Sequence, residues 1–212
     1  MRTLSLCPLY DTVGKVDASG AFYPEARTFM GLNLGSTVLR FDSNRVMTDR
    51  RAESDRIIAR YVGTDLDAVA FFCHGWSSGI QAGYALVHTK PLAALLSQVL
   101  TPGGMVILYC CSTAQDPEGG FAARLSQHLG EGHPVFAHET AGHTTYNPYA
   151  YRFVAGHATT YVSCKDADAF RTWRRAMRSR TFRFEAPFLK PEQALSAAAH
   201  ELESAAGTKP TT

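Results

Sequence analysis

The chain has 212 residues, of which 45% are hydrophobic and 19% are charged, and its formal net charge is +2. A chain of this length fits one domain with a sizeable core, and the composition argues against wholesale disorder. So small a net charge gives no support to nucleic-acid or membrane-surface binding, and no run of about 18 apolar residues predicts a membrane span.

The cysteine content bears on the cellular compartment. The five cysteines are odd in number and contain no CxxC spacing: Cys7, Cys73, Cys110, Cys111 and Cys164. Such a set does not form a disulfide framework and favours a reducing environment. The start, residues 1–8, is too short and too quickly interrupted for a signal peptide. We therefore expect a cytoplasmic protein.

In chain order, residues 1–34 contain several glycines and predict strands or hairpins with irregular loops. A short strand is expected at 37–41. The segment 54–62 has apolar residues at helical spacing and predicts a helix, with Ser54 as its candidate N-cap.

Two continuous apolar runs, residues 68–75 and 105–113, dominate the middle of the chain. Continuous hydrophobicity over a strand length is typical of strands covered on both faces, as in the centre of a parallel sheet. Ligands bind at the carboxyl ends of the strands in such sheets. We therefore expect His74 and Cys111, which end these runs, on one rim, with about one helical crossover between their strands.

The intervening and following segments complete the expected architecture. Apolar spacing over 80–100 predicts helix, with its second part beginning at Pro91. Another helix is expected to open near Asp116 and to end at Gly130, before a third apolar strand at 134–137. This order predicts an α/β protein, a three-layer sandwich with a mostly parallel central sheet.

The remaining elements are expected to be a loop, an edge strand, two helices and a frayed tail, at 140–156, 159–162, 169–179, 191–206 and 207–212. No internal repeat or linker divides the chain. We therefore expect a single domain over 1–212, with its core at about 35–165 and C-terminal helices within 166–206.

The two central runs resemble those of the caspase-like (clan CD) cysteine peptidases, which include caspases, gingipains, separase and bacterial CHAT proteases. In that family the catalytic histidine precedes a glycine at one strand end, and the nucleophilic cysteine ends the next strand. His74-Gly75 matches the first motif, and Cys110-Cys111-Ser112-Thr113 matches the second, with Cys110 in the small-residue place. The resemblance covers roughly residues 65–137.

The resemblance implies a cysteine endopeptidase that acts on a protein or peptide substrate without a cofactor. Cys111 would be the nucleophile, and His74 would be the base that passes a proton to the departing amine. The backbone N–H groups of Gly75 and Cys111 would form the oxyanion hole. The sequence identifies no third, orienting acid.

Substrate-binding candidates follow the strand ends. Asp116, Glu118 and Glu139 are candidates for an acidic pocket, which would favour a basic residue before the cut bond, as gingipains and separase do. The alternative is that Asp116 and Glu118 only favour the N-terminus of their helix. His138, Glu139 and His143 match no zinc signature, so we expect no metal. We expect them, His143 included, either to line the cleft or simply to belong to a solvated loop.

Bland interpretations stand beside these. Cys73 and Cys110 are expected to be core residues, because adjacent strand residues point to opposite faces. The stretch 171–183 holds six arginines; a solvated helix face is favoured over a nucleic-acid, phosphate or acidic-partner site.

Two rival functions remain open. The His74-Gly75 stretch also resembles the oxyanion segment of lipases, but an α/β-hydrolase esterase needs a G-x-S-x-G elbow, which this sequence lacks. The second rival is a catalytically inactive caspase-like domain that serves as a binding module or scaffold.

Overall fold

The computed structural model describes residues 2–10, 12–13, 16–17, 22–23, 26, 37–139 and 149–162. The strands are β1 (Thr3–Pro8), β2 (Thr12–Val13), β3 (Val16–Asp17), β4 (Thr37–Phe41), β5 (Leu66–Phe72), β6 (Gly75–Trp76), β7 (Gly79–Ile80), β8 (Tyr84–Ala85), β9 (Leu100–Tyr109), β10 (Val135–His138), β11 (Tyr149–Val154) and β12 (His157–Val162). The helices are α1 (Met47–Ala59), α2 (Thr89–Leu96) and α3 (Phe121–Leu129), with a 3-10 turn at Leu86–His88.

Seven of these strands form one mixed sheet in the order β12-β11-β10-β9-β5-β1-β4. The pairings from β4 through β1, β5 and β9 to β10 are parallel, and those of β11 with β10 and β12 are antiparallel. The prediction of an α/β protein with a mostly parallel sheet is therefore confirmed.

The parallel part is doubly wound, because the chain goes from β1 outward to β4 and then returns past β1 to β5. The helices α1, α2 and α3 connect strands that advance in one direction, and all three contribute to the core on one sheet face. The connection from β1 to β4 runs the opposite way, and its Phe22 and Ala26 pack on the other face. Right-handed crossovers require this division, which is compatible with a three-layer sandwich.

Side-chain alternation explains why the central strands have no polar face. The helix-covered cluster is the set of buried residues on the sheet face that α1, α2 and α3 cover, and the opposite cluster lies on the face of Phe22 and Ala26. In β5, Val69 and Phe71 belong to the helix-covered cluster, whereas Ala70 and Phe72 belong to the opposite cluster. All four are fully buried. A strand that packs on both sides needs apolar residues at every position, which is the pattern seen in the sequence.

The helix α1 begins earlier than expected. It starts at Met47, so Ser54 lies in its interior and is not its N-cap, and the position before the first turn is occupied by Val46. The Ser54 hydroxyl instead donates to the carbonyl of Ala82 at 3.0 Å. A buried hydroxyl can be satisfied by a distant carbonyl, which the local sequence pattern does not reveal.

The stretch 80–100 is only partly helical. Pro91 lies in the first turn of α2, as expected, but the preceding residues form the short antiparallel strands β7 and β8 and the 3-10 turn. Within this extended segment, the side chains of Ile80 and Tyr84 are buried, and the Tyr84 hydroxyl donates to Asp55 at 2.8 Å. Their apolar spacing therefore reflects packing of a loop and not of a helix face.

Other boundaries also differ. Strand β9 begins at Leu100, five residues before the expected run, and a register shift against β5 accommodates the extra residues. The expected helix near Asp116 begins only at Phe121, because residues 116–120 form a turn that the Asp116 side chain stabilises. Its end at Gly130 is confirmed by a left-handed φ of 71° there.

The remaining expectations divide into three groups. The strands at 37–41 and 134–137 are confirmed, and 159–162 lies within the edge strand β12. The loop expected over 140–156 is wrong for 149–154, which form β11. The sheet also includes β1, which lies outside the 35–165 range expected for the core.

The predicted C-terminal helices, the predicted frayed tail and the arginine stretch 171–183 lie outside the described residues. Among the helices of the described ranges, none is both long enough and apolar enough to cross a bilayer.

Candidate active site

The carboxyl ends of β5 and β9 lie side by side and bring the two motifs together. The parallel register pairs Phe72 with Tyr109. Continued by two residues, it sets His74 opposite Cys111. Neighbouring strands are about 4.8 Å apart, so the two residues are neighbours on the rim of the sheet.

The register persists beyond the last paired residues. The sulfur atoms of Cys73 and Cys110, one position further on, lie 3.6 Å apart. Both residues are fully buried in the helix-covered cluster, so the prediction that they are core residues is confirmed. Continued alternation predicts His74 and Cys111 on the opposite face, and the contact of the His74 ring with Phe22 supports this for His74.

That face carries an aromatic wall next to the histidine. The Phe22 ring meets the His74 ring edge-on, with centroids 4.9 Å apart and an interplanar angle of 85°. Phe72 and Tyr109 stack 4.4 Å apart one step below the rim. The imidazole therefore has an apolar neighbour that restricts the positions of its ring.

The described cysteines differ in how deeply they are buried. Burial, with Cys73 adding to it, raises the pKa of the Cys110 thiol well above its usual value. Burial also raises the pKa of Cys7 to about 12, although Arg40 acts in the opposite direction. Such thiols carry almost no thiolate at neutral pH. Cys111, in contrast, is partly exposed to solvent.

The turn after Cys111 is strained and well anchored. Ser112 has a left-handed φ of 56°, which is unusual for a residue with a side chain. The Thr113 hydroxyl donates to the carbonyl of Cys110 at 3.1 Å. The N–H of Ala114 donates to the carbonyl of His138 at 2.9 Å. These bonds compensate the strain and fix the direction of the chain at Cys111.

Gly75 lets the two strand ends approach closely. A Cβ atom at this position would lie 2.6 Å from the Cβ of Cys110 and 2.8 Å from the carbonyl oxygen of Cys111. No side chain fits there without displacing the segment 110–113 that follows β9. The backbone at Gly75 is thus held directly against Cys110 and Cys111.

The acidic candidates have separate surroundings. Asp116 Oδ1 accepts the N–H groups of Glu118 at 3.2 Å and Gly119 at 2.9 Å. This carboxylate stabilises the turn before α3, and the Glu118 side chain is exposed. Glu139, directly after β10, accepts a hydrogen bond from the Tyr151 hydroxyl at 3.3 Å.

The polar group after β10 is only partly described. The His138 ring lies 6.1 Å from the Tyr109 ring, on the face that carries His74. His143 lies outside the described residues. Within the described ranges, no three His, Cys, Asp or Glu side chains are grouped so that they could hold a metal ion.

Two neighbours of His74 were not singled out from the sequence, namely Phe22 and Gln81. Gln81 bonds the backbone of His74 through both its main chain and its side chain. Neither belongs to a motif, and the only local signal is a polar glutamine that follows Ile80 in an otherwise apolar segment.

Comparisons with known proteins identify no relative: no family model matches this chain, and no curated protein matches its sequence.

Proposed function

We propose that this chain is a caspase-like cysteine endopeptidase with Cys111 as nucleophile and His74 as its base. One observation supports the proposal, namely the parallel register of β5 and β9, in which Phe72 pairs with Tyr109 two residues before His74 and Cys111. A partly exposed thiol beside an imidazole is the arrangement that activates a cysteine nucleophile.

The position in the sheet supports a binding role. In doubly wound sheets, ligands bind outside the carboxyl ends of the strands where the winding direction reverses. Here the reversal falls between β1 and β5, and His74 follows the carboxyl end of β5. A peptide that crosses this crevice would reach both His74 and the neighbouring Cys111.

The reaction proceeds in two acyl transfers. His74 takes the thiol proton, and the Cys111 sulfur attacks the peptide carbonyl carbon to give a tetrahedral oxyanion. The C–N bond breaks, His74 donates its proton to the leaving amine, and a thioester remains on Cys111. A water molecule, deprotonated by His74, then attacks the thioester and releases the carboxylic acid and the thiol.

The backbone N–H groups of Gly75 and Cys111 are the proposed oxyanion donors. Gln81 N–H donates to the carbonyl of His74 at 2.9 Å, and Gly75 is paired with Ile80 in the next position. Because bonded and non-bonded pairs alternate in antiparallel strands, the N–H of Gly75 points away from β7. This orientation supports a donor directed toward the substrate.

For the substrate, we propose a protein or peptide with a basic residue before the cleaved bond. Glu139 supports this preference for a basic residue, because it directly follows β10, the strand beside β9. Asp116 contributes less support, since its carboxylate accepts two N–H groups of its own turn.

The test is covalent labelling with acyloxymethyl ketone probes that carry arginine, lysine or an uncharged residue, with the labelled site identified by mass spectrometry. We expect labelling at Cys111, a rate lower by at least about a hundredfold in His74→Ala, and faster reaction of the basic probes. Cys73 and Cys110 should stay unlabelled, because both are fully buried.

Labelling that is equal at several cysteines, or unchanged in His74→Ala, would contradict the peptidase proposal. In a protein that remains folded by circular dichroism, this result would instead support the inactive binding module. Equal rates for basic and uncharged probes would remove only the substrate preference.

A further inference from the structure

Gln81 is a buried polar residue, 9% exposed, that contacts the candidate base. Its main-chain N–H donates to the carbonyl of His74 at 2.9 Å. Its side-chain Oε1 accepts the N–H of His74 at 3.2 Å. A single residue therefore bonds both backbone polar groups of the histidine.

The side-chain bond has a structural reason. In a bonded antiparallel pair, the two residues normally exchange N–H···O bonds through their main chains. Here the carbonyl of Gln81 accepts from Arg50 Nη1 at 3.0 Å, and the side-chain oxygen accepts the N–H of His74. The N–H of His74 therefore bonds to a side-chain oxygen in place of a main-chain carbonyl, and the glutamine side chain is long enough to reach it.

Gln81 is in turn held by α1. Besides the bond from Arg50 to Gln81, the hydroxyl of Ser54 donates to the carbonyl of Ala82 at 3.0 Å. The Arg50 bond holds the main chain of Gln81 itself, whereas the Ser54 bond holds the next residue, Ala82. Because α1 packs in the main core, Gln81 is an anchored partner for the strand end that carries His74.

We propose that Gln81 is a positioning residue that, through its side-chain oxygen, orients the His74 backbone and so directs the imidazole toward Cys111. The inference rests on the proposed function of the dyad. Strand β5 ends at Phe72, so His74 lies beyond the last ladder pair, where other bonds must fix its backbone. A displacement of about 1 Å between reacting groups can lower a rate about a hundredfold.

The test compares three variants. Gln81→Met keeps the length of the side chain but removes the acceptor, whereas Gln81→Glu keeps an oxygen at the same place. Ser54→Ala is the matched control, because it removes a bond from α1 to the neighbouring carbonyl without touching His74. We would measure the rate at which iodoacetamide alkylates Cys111 at a series of pH values from about 5 to about 9.

We expect Gln81→Met to lower the alkylation rate at neutral pH about tenfold and to shift its pH profile, since a misplaced imidazolium stabilises the thiolate less. Gln81→Glu should restore most of the rate. Ser54→Ala should keep the wild-type profile even if urea unfolding shows a similar loss of stability. Should Gln81→Met fail to fold, Gln81→Asn, which shortens the reach of the amide, serves the same comparison.

A Gln81→Met profile that coincides with the wild-type one, or an equal shift in Ser54→Ala, would overturn the positioning role while leaving the dyad intact. Failure of the proposed function gives a different result: alkylation of Cys111 would then be insensitive to His74→Ala. That outcome removes the positioning role together with the dyad.

Discussion

At the scale of single residues, the distance between the two strand ends depends on the absence of a side chain at Gly75. Its neighbours there are Cys110, Cys111 and Thr113, so the contact is with the very segment that carries the candidate nucleophile. Any added atom must move the end of β5 away from the end of β9, and with it His74 away from Cys111.

We therefore expect Gly75→Ala to lower the free energy of unfolding by about 1–3 kcal/mol through overpacking and to lower probe labelling of Cys111 as well. Gly132→Ala is the control, because a Cβ there meets nothing within 4 Å. Urea unfolding and labelling rates measure both effects. A Gly75→Ala protein as stable and reactive as Gly132→Ala would contradict the close contact.

The buried thiol of Cys7 predicts a dependence of stability on pH. Burial raises its pKa in the folded protein to about 12, from the usual value near 9.0. The folded state therefore holds the proton more tightly, and the stabilisation that this provides is complete below pH 9 and is lost as pH rises from about 9 toward 12.

Between pH 8 and pH 10, we expect Cys7 to account for a loss of about 1 kcal/mol in the free energy of unfolding. Urea unfolding of wild type and Cys7→Ala at both values isolates this contribution, since the other titrating groups are common to both. If the two proteins lose equal stability over this interval, the thiol is not buried as described.

At the scale of elements, the loop that holds Gln81 is packed directly on α1. Gly83 has a φ of 98°, and a Cβ there would overlap the main chain of α1 at Arg51 and lie 2.6 Å from the carbonyl oxygen of Met47. Gly63 has a similar φ of 76° but is surrounded by open space. Substitutions at these two glycines therefore distinguish the cost of backbone strain alone from the added cost of close packing.

We expect Gly63→Ala to cost about 1–2 kcal/mol in the free energy of unfolding, from left-handed strain alone. Gly83→Ala should cost about 1–3 kcal/mol more, because it also forces the loop away from α1. Urea unfolding of both variants gives the comparison. Equal costs would show that the loop is not seated on the helix.

At the scale of the whole molecule, the candidate dyad lies at the best-supported part of the sheet. Strands β5 and β9 each pair with neighbours on both sides and share their longest ladder with each other. In the described part of the chain, β4 and β12 lie at the two edges. The rim that carries His74 and Cys111 thus rests on central strands.

We expect amide hydrogen exchange to be slowest in β1, β5 and β9 and faster by more than about tenfold in β12, because central strands exchange only through larger openings. Exchange measured by mass spectrometry on the intact protein resolves these segments. Exchange of β9 as rapid as that of β12 would contradict the strand order.

Much of the central framework could be predicted from local patterns. Uninterrupted apolar runs of strand length predicted β5 and most of β9, because a strand covered on both faces must be apolar at every position. The polar residues that end these runs marked the rim, since parallel strands present their carboxyl ends together. The predicted start of α1 and the predicted helix over 80–88 were wrong. Tertiary contacts determine whether apolar spacing belongs to a helix or to a packed loop.

Local patterns in the sequence were enough to predict the α/β class, the two central strands, and a histidine and a cysteine just beyond their ends. The register of β5 against β9 and the bond from Gln81 to His74 became visible only in the folded chain. Periodicity reports how residues within one element are buried. Which atom accepts the hydrogen bond of a given N–H depends on which other element packs beside it, and that packing involves residues far apart in the chain.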